Sequence, residues 1–171
     1  MAAPTDIVEA LLCRVRSGAP LTGMADWHAP KLFPCVSGDQ IQAAERRLGF
    51  ELPQVLRDVY TRVGNGGFGP AYGLIGIEGG AVDDLGQTVE ELYDSFCRPR
   101  ISDSSWSWPA TLLPFCYYGC AIYFCVHCSS AGAPVYVFEP NIRGDGPWGR
   151  VLDLQFGSLA EWFESWLRDA A

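Results

Sequence analysis

Four cysteines and a histidine lie close together in the chain, and these residue types could bind a metal. They are Cys116, Cys120, Cys125, His127 and Cys128. Structural zinc sites take four such ligands, usually from two short pairs separated by a loop. If residues 121–128 form a strand, successive side chains alternate between its faces, so Cys125 and Cys128 point apart. The spacing therefore predicts that these thiols fill the core, and we expect no metal or other cofactor.

The cysteines are also candidate nucleophiles, since a thiolate can be activated by a nearby base. The chain has seven cysteines, and its two histidines are His28 in a proline-rich loop and His127 at the end of a predicted strand. No local motif around either histidine identifies it as a base. The residues therefore predict a protein without enzymatic activity, and a thiol or zinc enzyme is the weakest alternative.

Residues 64–69 read Gly-Asn-Gly-Gly-Phe-Gly, which looks like a phosphate-binding loop. Such loops follow a strand and open a helix, whereas this segment follows a predicted helix and precedes a predicted strand. The pattern instead predicts a helix end and a tight turn, because glycine accepts positive φ at little steric cost.

An acidic band between Glu78 and Asp103 carries most of the negative charge. It contains seven acidic residues and two arginines, and the whole chain has a net charge of −8. Acidic side chains beside tryptophans are typical of protein interfaces, where aromatic residues supply affinity and complementary charge supplies rate and selectivity. A solvated helix face is the simpler interpretation. The candidate partner-binding residues are Asp83, Asp84, Glu90, Glu91, Asp94, Asp103, Trp106 and Trp108.

The charge and hydropathy patterns exclude several classes of partner. Nucleic-acid binding needs a basic patch, and the net charge has the opposite sign. The longest apolar run, residues 112–126, is interrupted and too short for a membrane span. The N-terminus has Asp6 and Glu9 where a signal peptide has basic residues. We expect a cytoplasmic protein that binds neither nucleic acid nor membranes.

Periodicity and turn residues predict the elements that position these side chains. Helices are predicted at 6–16 after Thr5, 38–48, 53–63, 83–97 and 159–168, and strands at 72–77, 112–117, 121–128, 135–138 and 151–154. Helices followed by strands and a closing helix are typical of an α+β domain with a mixed or antiparallel sheet packed against helices. At 171 residues the chain has room for one such domain, which we place at residues 37–171 after an N-terminal helix and loop arm at residues 1–36.

Two local patterns make these element predictions specific. Ser37 with Gln40, and Ser158 with Glu161, have the spacing of capping boxes at helix N-termini. In a helix at 83–97, Leu85 falls on the same side as the apolar residues 89, 92 and 96, which predicts that Leu85 is buried.

The segment from Ile41 to Gly67 resembles the SUKH superfamily, the Smi/Knr cell-wall-assembly-regulator type of domain. Its signature is a helix with a central glutamate, a Leu-Gly step, a Leu-Pro helix opening and an Asn-Gly-Gly turn. The corresponding residues are Glu45, Leu48, Gly49, Leu52, Pro53, Asn65, Gly66 and Gly67. The similarity continues through a Val-Tyr strand at 135–136 to the last helix, and covers about residues 37–167.

This resemblance implies a non-catalytic α+β domain, many of whose bacterial relatives look like immunity proteins that neutralise toxins, often nucleases. It also implies that the matched residues are structural. Gly49 and Gly66 would provide the backbone geometry, Pro53 would start a helix, and Glu45 would bond to neighbouring backbone. We therefore expect an immunity protein whose acidic band occludes the basic nucleic-acid-binding cleft of a toxin. The alternative is a regulatory or scaffold module that binds cellular proteins without a toxin.

Overall fold

The computed structural model describes residues 6–24, 31–98, 107–142 and 151–169. Within these ranges the chain forms five α-helices and one four-stranded antiparallel sheet. The helices are α1 (Ile7–Arg16), α2 (Gly38–Leu48), α3 (Gln54–Asp58), α4 (Val89–Cys97) and α5 (Leu159–Asp169). The strands are β1 (Leu112–Gly119), β2 (Ile122–His127), β3 (Val135–Phe138) and β4 (Leu152–Phe156). The predicted α+β class is confirmed, and the sheet is antiparallel throughout.

Helices α4 and α5 pack on opposite faces of the sheet, whose strand order follows the sequence. Adjacent residues of β2 show this, because neighbouring side chains of a strand point to opposite faces. The ring centroid of Tyr123 lies 5.5 Å from Phe96 of α4, and that of Phe124 lies 5.4 Å from Trp162 of α5. The core therefore has two layers, and α1 contributes Val8 and Leu11 to the same core.

Local capping signals place α2 where the sequence predicts it. The Ser37 hydroxyl accepts from the Gln40 amide, and the Gln40 side chain accepts from the Ser37 amide. Gly49 ends the helix in the left-handed conformation at φ 84°. Helix α3 starts after Pro53 and continues as a π-helical turn over Val59–Val63.

The predicted strand at 72–77 is wrong. Within this segment only Leu74 forms a β-bridge, to Cys116. Gly73 has φ 94°, a conformation outside the strand region. The amides of Tyr72 and Ile75 still donate to the Tyr117 and Phe115 carbonyls at 3.1 and 2.9 Å. The segment thus covers the edge of β1 as irregular chain rather than as a fifth strand.

The predicted helix at 83–97 begins only at Val89. Asp83 explains the difference, because its carboxylate accepts from the amides of Leu85 and Gln87 and folds these residues into a turn. Thr88 then starts α4 with a capping box to Glu91. Short polar side chains that bond nearby amides favour turns over helix in this way.

Candidate partner-binding site

A cleft of about 710 Å³ lies between the turn at residues 82–86 and the end of β1. We call it the 82–86 cleft. Met24 and Val82 line it and are each 50% exposed, and the adjoining Leu85 is 75% exposed. Large apolar side chains grouped at one exposed place are typical of protein-docking surfaces.

Two aspartates form the polar wall of this cleft, and they have different environments. Asp83 is only 6% exposed, and its Oδ1 accepts from the amides of Leu85 at 3.0 Å and Gln87 at 2.8 Å. Its Oδ2 accepts from the Tyr123 hydroxyl at 3.0 Å. Asp84 is exposed, and its Oδ2 accepts from the Tyr117 hydroxyl at 2.7 Å. Asp83 therefore holds the turn together, whereas Asp84 presents a negative charge to solvent.

The two tyrosines are held in their protonated, donating form. Burial raises the pKa of Tyr123 well above its usual value, and the neighbouring Asp83 carboxylate raises it further. Burial likewise raises the pKa of Tyr117, and its hydrogen bond to Asp84 acts in the same direction. Both hydroxyls therefore keep their protons throughout the neutral range and fix the orientation of the two carboxylates.

Three of the proposed partner-binding residues are buried and so cannot form part of an exposed interface. Asp83 is one of them, and Glu90 and Trp108 are only 2% and 8% exposed. The Glu90 Oε1 accepts from the Glu78 amide at 3.1 Å, while the Trp108 indole donates to the Leu112 carbonyl at 2.6 Å. This corrects the sequence prediction, because the Glu90 side chain and the Trp108 ring face the core.

Two other proposed residues lie on the surface. Glu91 is exposed, and the hydrogen bond from the Thr88 amide lowers its pKa and keeps it ionised. Asp94 is paired with Arg47, with 3.3 Å between Oδ2 and Nη2. The proposed Asp103 and Trp106 lie outside the described residues, as does His28.

The structure adds apolar residues that sequence reasoning missed. Leu85 was predicted to lie on the buried side of a helix, but the turn made by Asp83 exposes it. The signal in the sequence was an aspartate pair flanked by Val82 and Leu85, which fits a turn as well as a helix N-terminus.

The family-signature residues hold local backbone, and four of the eight are buried: Leu48, Leu52, Asn65 and Gly66. Glu45 Oε1 accepts from the Leu52 amide at 2.7 Å and from Arg57. Leu52 and Asn65 are buried, and Gly66 and Gly67 have φ of 84° and 86°. None of these roles involves an exposed reacting group.

The clustered thiols differ in exposure, since Cys120 is exposed, Cys128 is half-buried and the other two are buried. Cys116 and Cys125 are buried, and burial raises the pKa of both; it also raises that of Cys128, to about 12. His127 Nδ1 lies 3.0 Å from the Ser130 hydroxyl. Within the described ranges, no three histidine, cysteine or acidic residues are grouped so that they could hold a metal ion. Protonated thiols are poor nucleophiles and poor metal ligands.

Replacing Asp83 with alanine is expected to lower the free energy of unfolding by about 2 kcal/mol, since three donors lose a charged acceptor. Urea denaturation followed by tryptophan fluorescence measures this change. The control is Asp153→Ala, which removes an exposed carboxylate bonded only to the Gln155 side chain. Equal effects of the two substitutions would contradict a structural role for Asp83.

Sequence comparison assigns this fold and surface to a known group. The sequence model of the SMI1 / KNR4 family (SUKH-1) matches residues 35–167. The match includes the 82–86 turn and the sheet, and α1 lies outside it. No match was found among curated proteins or among solved structures. Among the described residues no helix has the length and apolar character needed to cross a membrane.

Proposed function

The chain belongs to the SMI1 / KNR4 family (SUKH-1), and we propose that it works as an immunity protein that binds a toxin through the 82–86 cleft. The observation that carries the proposal is the exposed Met24 and Val82 in the cleft wall, beside the fixed Asp84 carboxylate and next to the exposed Leu85 of the same turn. Domains of this family are generally non-catalytic immunity or regulatory modules. On this proposal the protein acts by binding its partner and not by catalysing a reaction.

The charge around the cleft favours a basic partner. Glu78, Asp84 and Glu91 are exposed carboxylates in one segment, and Lys31 is the basic residue among those that line the cleft. Such a field accelerates encounter with a positively charged surface. The nucleic-acid-binding cleft of a nuclease toxin is a surface of that kind.

The mechanism is occlusion. The apolar side chains of Val82 and Leu85 lose water against the toxin and supply affinity, while Asp84 pairs with a basic side chain that would otherwise contact phosphate. The Tyr117 hydroxyl holds Asp84 in place, so less side-chain freedom is lost on binding. Substrate entry to the toxin is then blocked without any covalent step.

Growth rescue tests this function. The toxin domain encoded beside the gene is expressed in a bacterial host with and without this protein, and the protein is expected to restore growth. Leu85→Glu, checked for folding by circular dichroism, is expected to lose the rescue. Absence of a neighbouring toxin, or failure to rescue, favours the regulatory module instead. Rescue by Leu85→Glu at the wild-type level would place the interface elsewhere.

Charge reversal at Asp84 and Glu91 to lysine is expected to slow association with the toxin about tenfold at low salt, because it removes electrostatic steering. The dependence of the rate on salt should also become weaker. Stopped-flow fluorescence at two salt concentrations measures both effects. Asp153→Lys with Glu164→Lys makes the same change in net charge on β4 and α5. If this control slows association equally, then net charge rather than the cleft governs the rate.

A further inference from the structure

A second groove, of about 660 Å³, lies between α1, α5 and the end of β4. Five of its fourteen lining residues are aromatic, and these come from three strands and α5. They are Tyr118, Phe124, Phe156, Trp162 and Trp166, and Arg14 of α1 also lines the groove. Tyr118 is half exposed at the rim. A space of this size accommodates a short stretch of polypeptide.

Arg14 is the unusual residue in this groove. Its guanidinium carbon lies 5.3 Å from the ring centroid of Trp166, and its Nε and Nη1 are buried with no hydrogen-bond acceptor from the residues that the structure describes. By contrast, Arg57 is paired with Glu45, and Arg62 with Asp6 and Glu9. Among the described residues no acidic group lies within ion-pair distance of Arg14. No acidic residue in this part of the chain neutralises the positive charge of Arg14, so a ligand that brings a carboxylate to its Nη2 is favoured here.

The groove also reaches an open edge of the sheet. In the described part of the chain β4 pairs with β3 alone. Gln155 and Phe156 of β4 both line the groove, and Gln155 is the extra residue of a β-bulge, since Leu154 pairs with Tyr136 and Phe156 with Val135. An extended peptide can pair with such an edge and place alternate side chains in a neighbouring groove.

We propose that this groove binds an extended acidic segment of a partner protein, with a carboxylate on Arg14 and apolar side chains against Trp162 and Phe156. The Nη2 of Arg14 is not among its buried nitrogens, so a carboxylate can reach it. The acidic residue in the lining, Asp169, lies at the end of α5 and is exposed.

This groove is separate from the toxin-binding proposal. Thr22 is the residue shared between the linings of the groove and the 82–86 cleft. Arg14 lies outside residues 35–167, which the family sequence model matches. The acidic-segment site is therefore a property of this chain and its N-terminal helix, and its test needs no toxin.

Isothermal titration calorimetry with a synthetic peptide, acetyl-Leu-Glu-Leu-Glu-Leu-amide, tests the proposal on the full chain. The wild-type protein is expected to bind it at least about tenfold more tightly than the peptide with glutamine in place of glutamate, a ratio typical of losing a charged hydrogen bond. Arg14→Gln is expected to abolish that preference. Equal affinity for the two peptides, or no binding of the glutamate peptide at millimolar concentration, overturns the proposal.

Matched variants separate binding from folding. Arg16→Gln removes an exposed positive charge from the same helix and is expected to leave the affinity unchanged, as is Asp84→Lys in the other cleft. If Arg14→Gln unfolds the chain, Gln155→Glu provides the test, because it adds a negative charge to the groove wall and should weaken binding of the glutamate peptide. Unchanged binding by Gln155→Glu would count against the groove as the site.

Discussion

Replacing Gly67 with alanine is expected to lower the free energy of unfolding by about 4 kcal/mol, because among the described glycines a Cβ at this position would come nearest to another atom. Gly67 has φ 86°, where an L-residue costs about 1–2 kcal/mol. The added Cβ would also overlap the Lys31 carbonyl oxygen, and the backbone must shift to relieve it at a cost of about 1–3 kcal/mol. Urea denaturation followed by tryptophan fluorescence measures the loss.

Gly79→Ala is the matched control for this prediction. Gly79 has φ 82°, but a Cβ there would meet no atom within 4 Å. Its substitution is therefore expected to cost only the conformational part, about 1 kcal/mol. If both variants lose the same stability, contact with the Lys31 backbone is not what requires glycine at position 67.

Since Gly67 and Lys31 both line the 82–86 cleft, Gly67→Ala should also weaken toxin binding.

Replacing Asn65 with alanine is expected to cost about 3 kcal/mol, because it leaves the buried Ile77 amide without a partner and removes the hydrogen bonds to the Ile77 and Glu78 carbonyls. The Ile77 carbonyl keeps the bond from the Gly80 amide at 2.8 Å. The Asn65 Oδ1 accepts from the Ile77 amide at 2.9 Å, and its Nδ2 donates to the Ile77 carbonyl at 3.2 Å. Asn65 and Ile77 are both buried, so water cannot replace these bonds without opening the fold. Differential scanning calorimetry should show the corresponding fall in melting temperature.

Asn141→Ala controls for the loss of an asparagine side chain as such. Asn141 is exposed and donates to the Cys120 carbonyl. Its removal is expected to change stability by less than about 0.5 kcal/mol, as for most surface substitutions. A small effect at Asn65 as well would mean that the Ile77 backbone finds other partners.

These two positions connect the family signature to the binding surface. Asn65 fixes the backbone at Ile77 and Glu78, and Gly76 and Gly80 allow that backbone to lie against the Asn65 side chain. The chain from this contact leads directly into the 82–86 turn. Asn65 therefore supports the backbone that leads to the cleft, whereas Gly67 forms part of the cleft lining itself.

Elements set by short-range hydrogen bonds could be predicted from the sequence. The capping box at Ser37 and the glycine at position 49 gave α2 its bounds, and the structure confirms both. The strand at 135–138 and the last helix are confirmed as well. The signature from Glu45 to Gly67 was enough to predict the family, which the match over residues 35–167 shows.

The candidate site was predicted less completely. Asp84 and Glu91 are exposed as expected, whereas Asp83, Glu90 and Trp108 are buried. In a segment where acidic residues follow one another, the charge pattern is the same whichever of them faces the core. The packing of α4 on the sheet decides this, and it depends on residues far away in the chain, such as Tyr123.

The sequence by itself determined the fold class, the family and the sign of the surface charge, because these follow from composition and from contacts within a few residues. Only the tertiary structure decided that residues 72–77 cover a sheet edge without forming a strand and that Leu85 is exposed. It also left the buried nitrogens of Arg14 in the second groove without an acceptor from the described residues. Each of these features depends on which surfaces meet when the helices pack on the sheet, and long-range packing outweighs local preference at such positions.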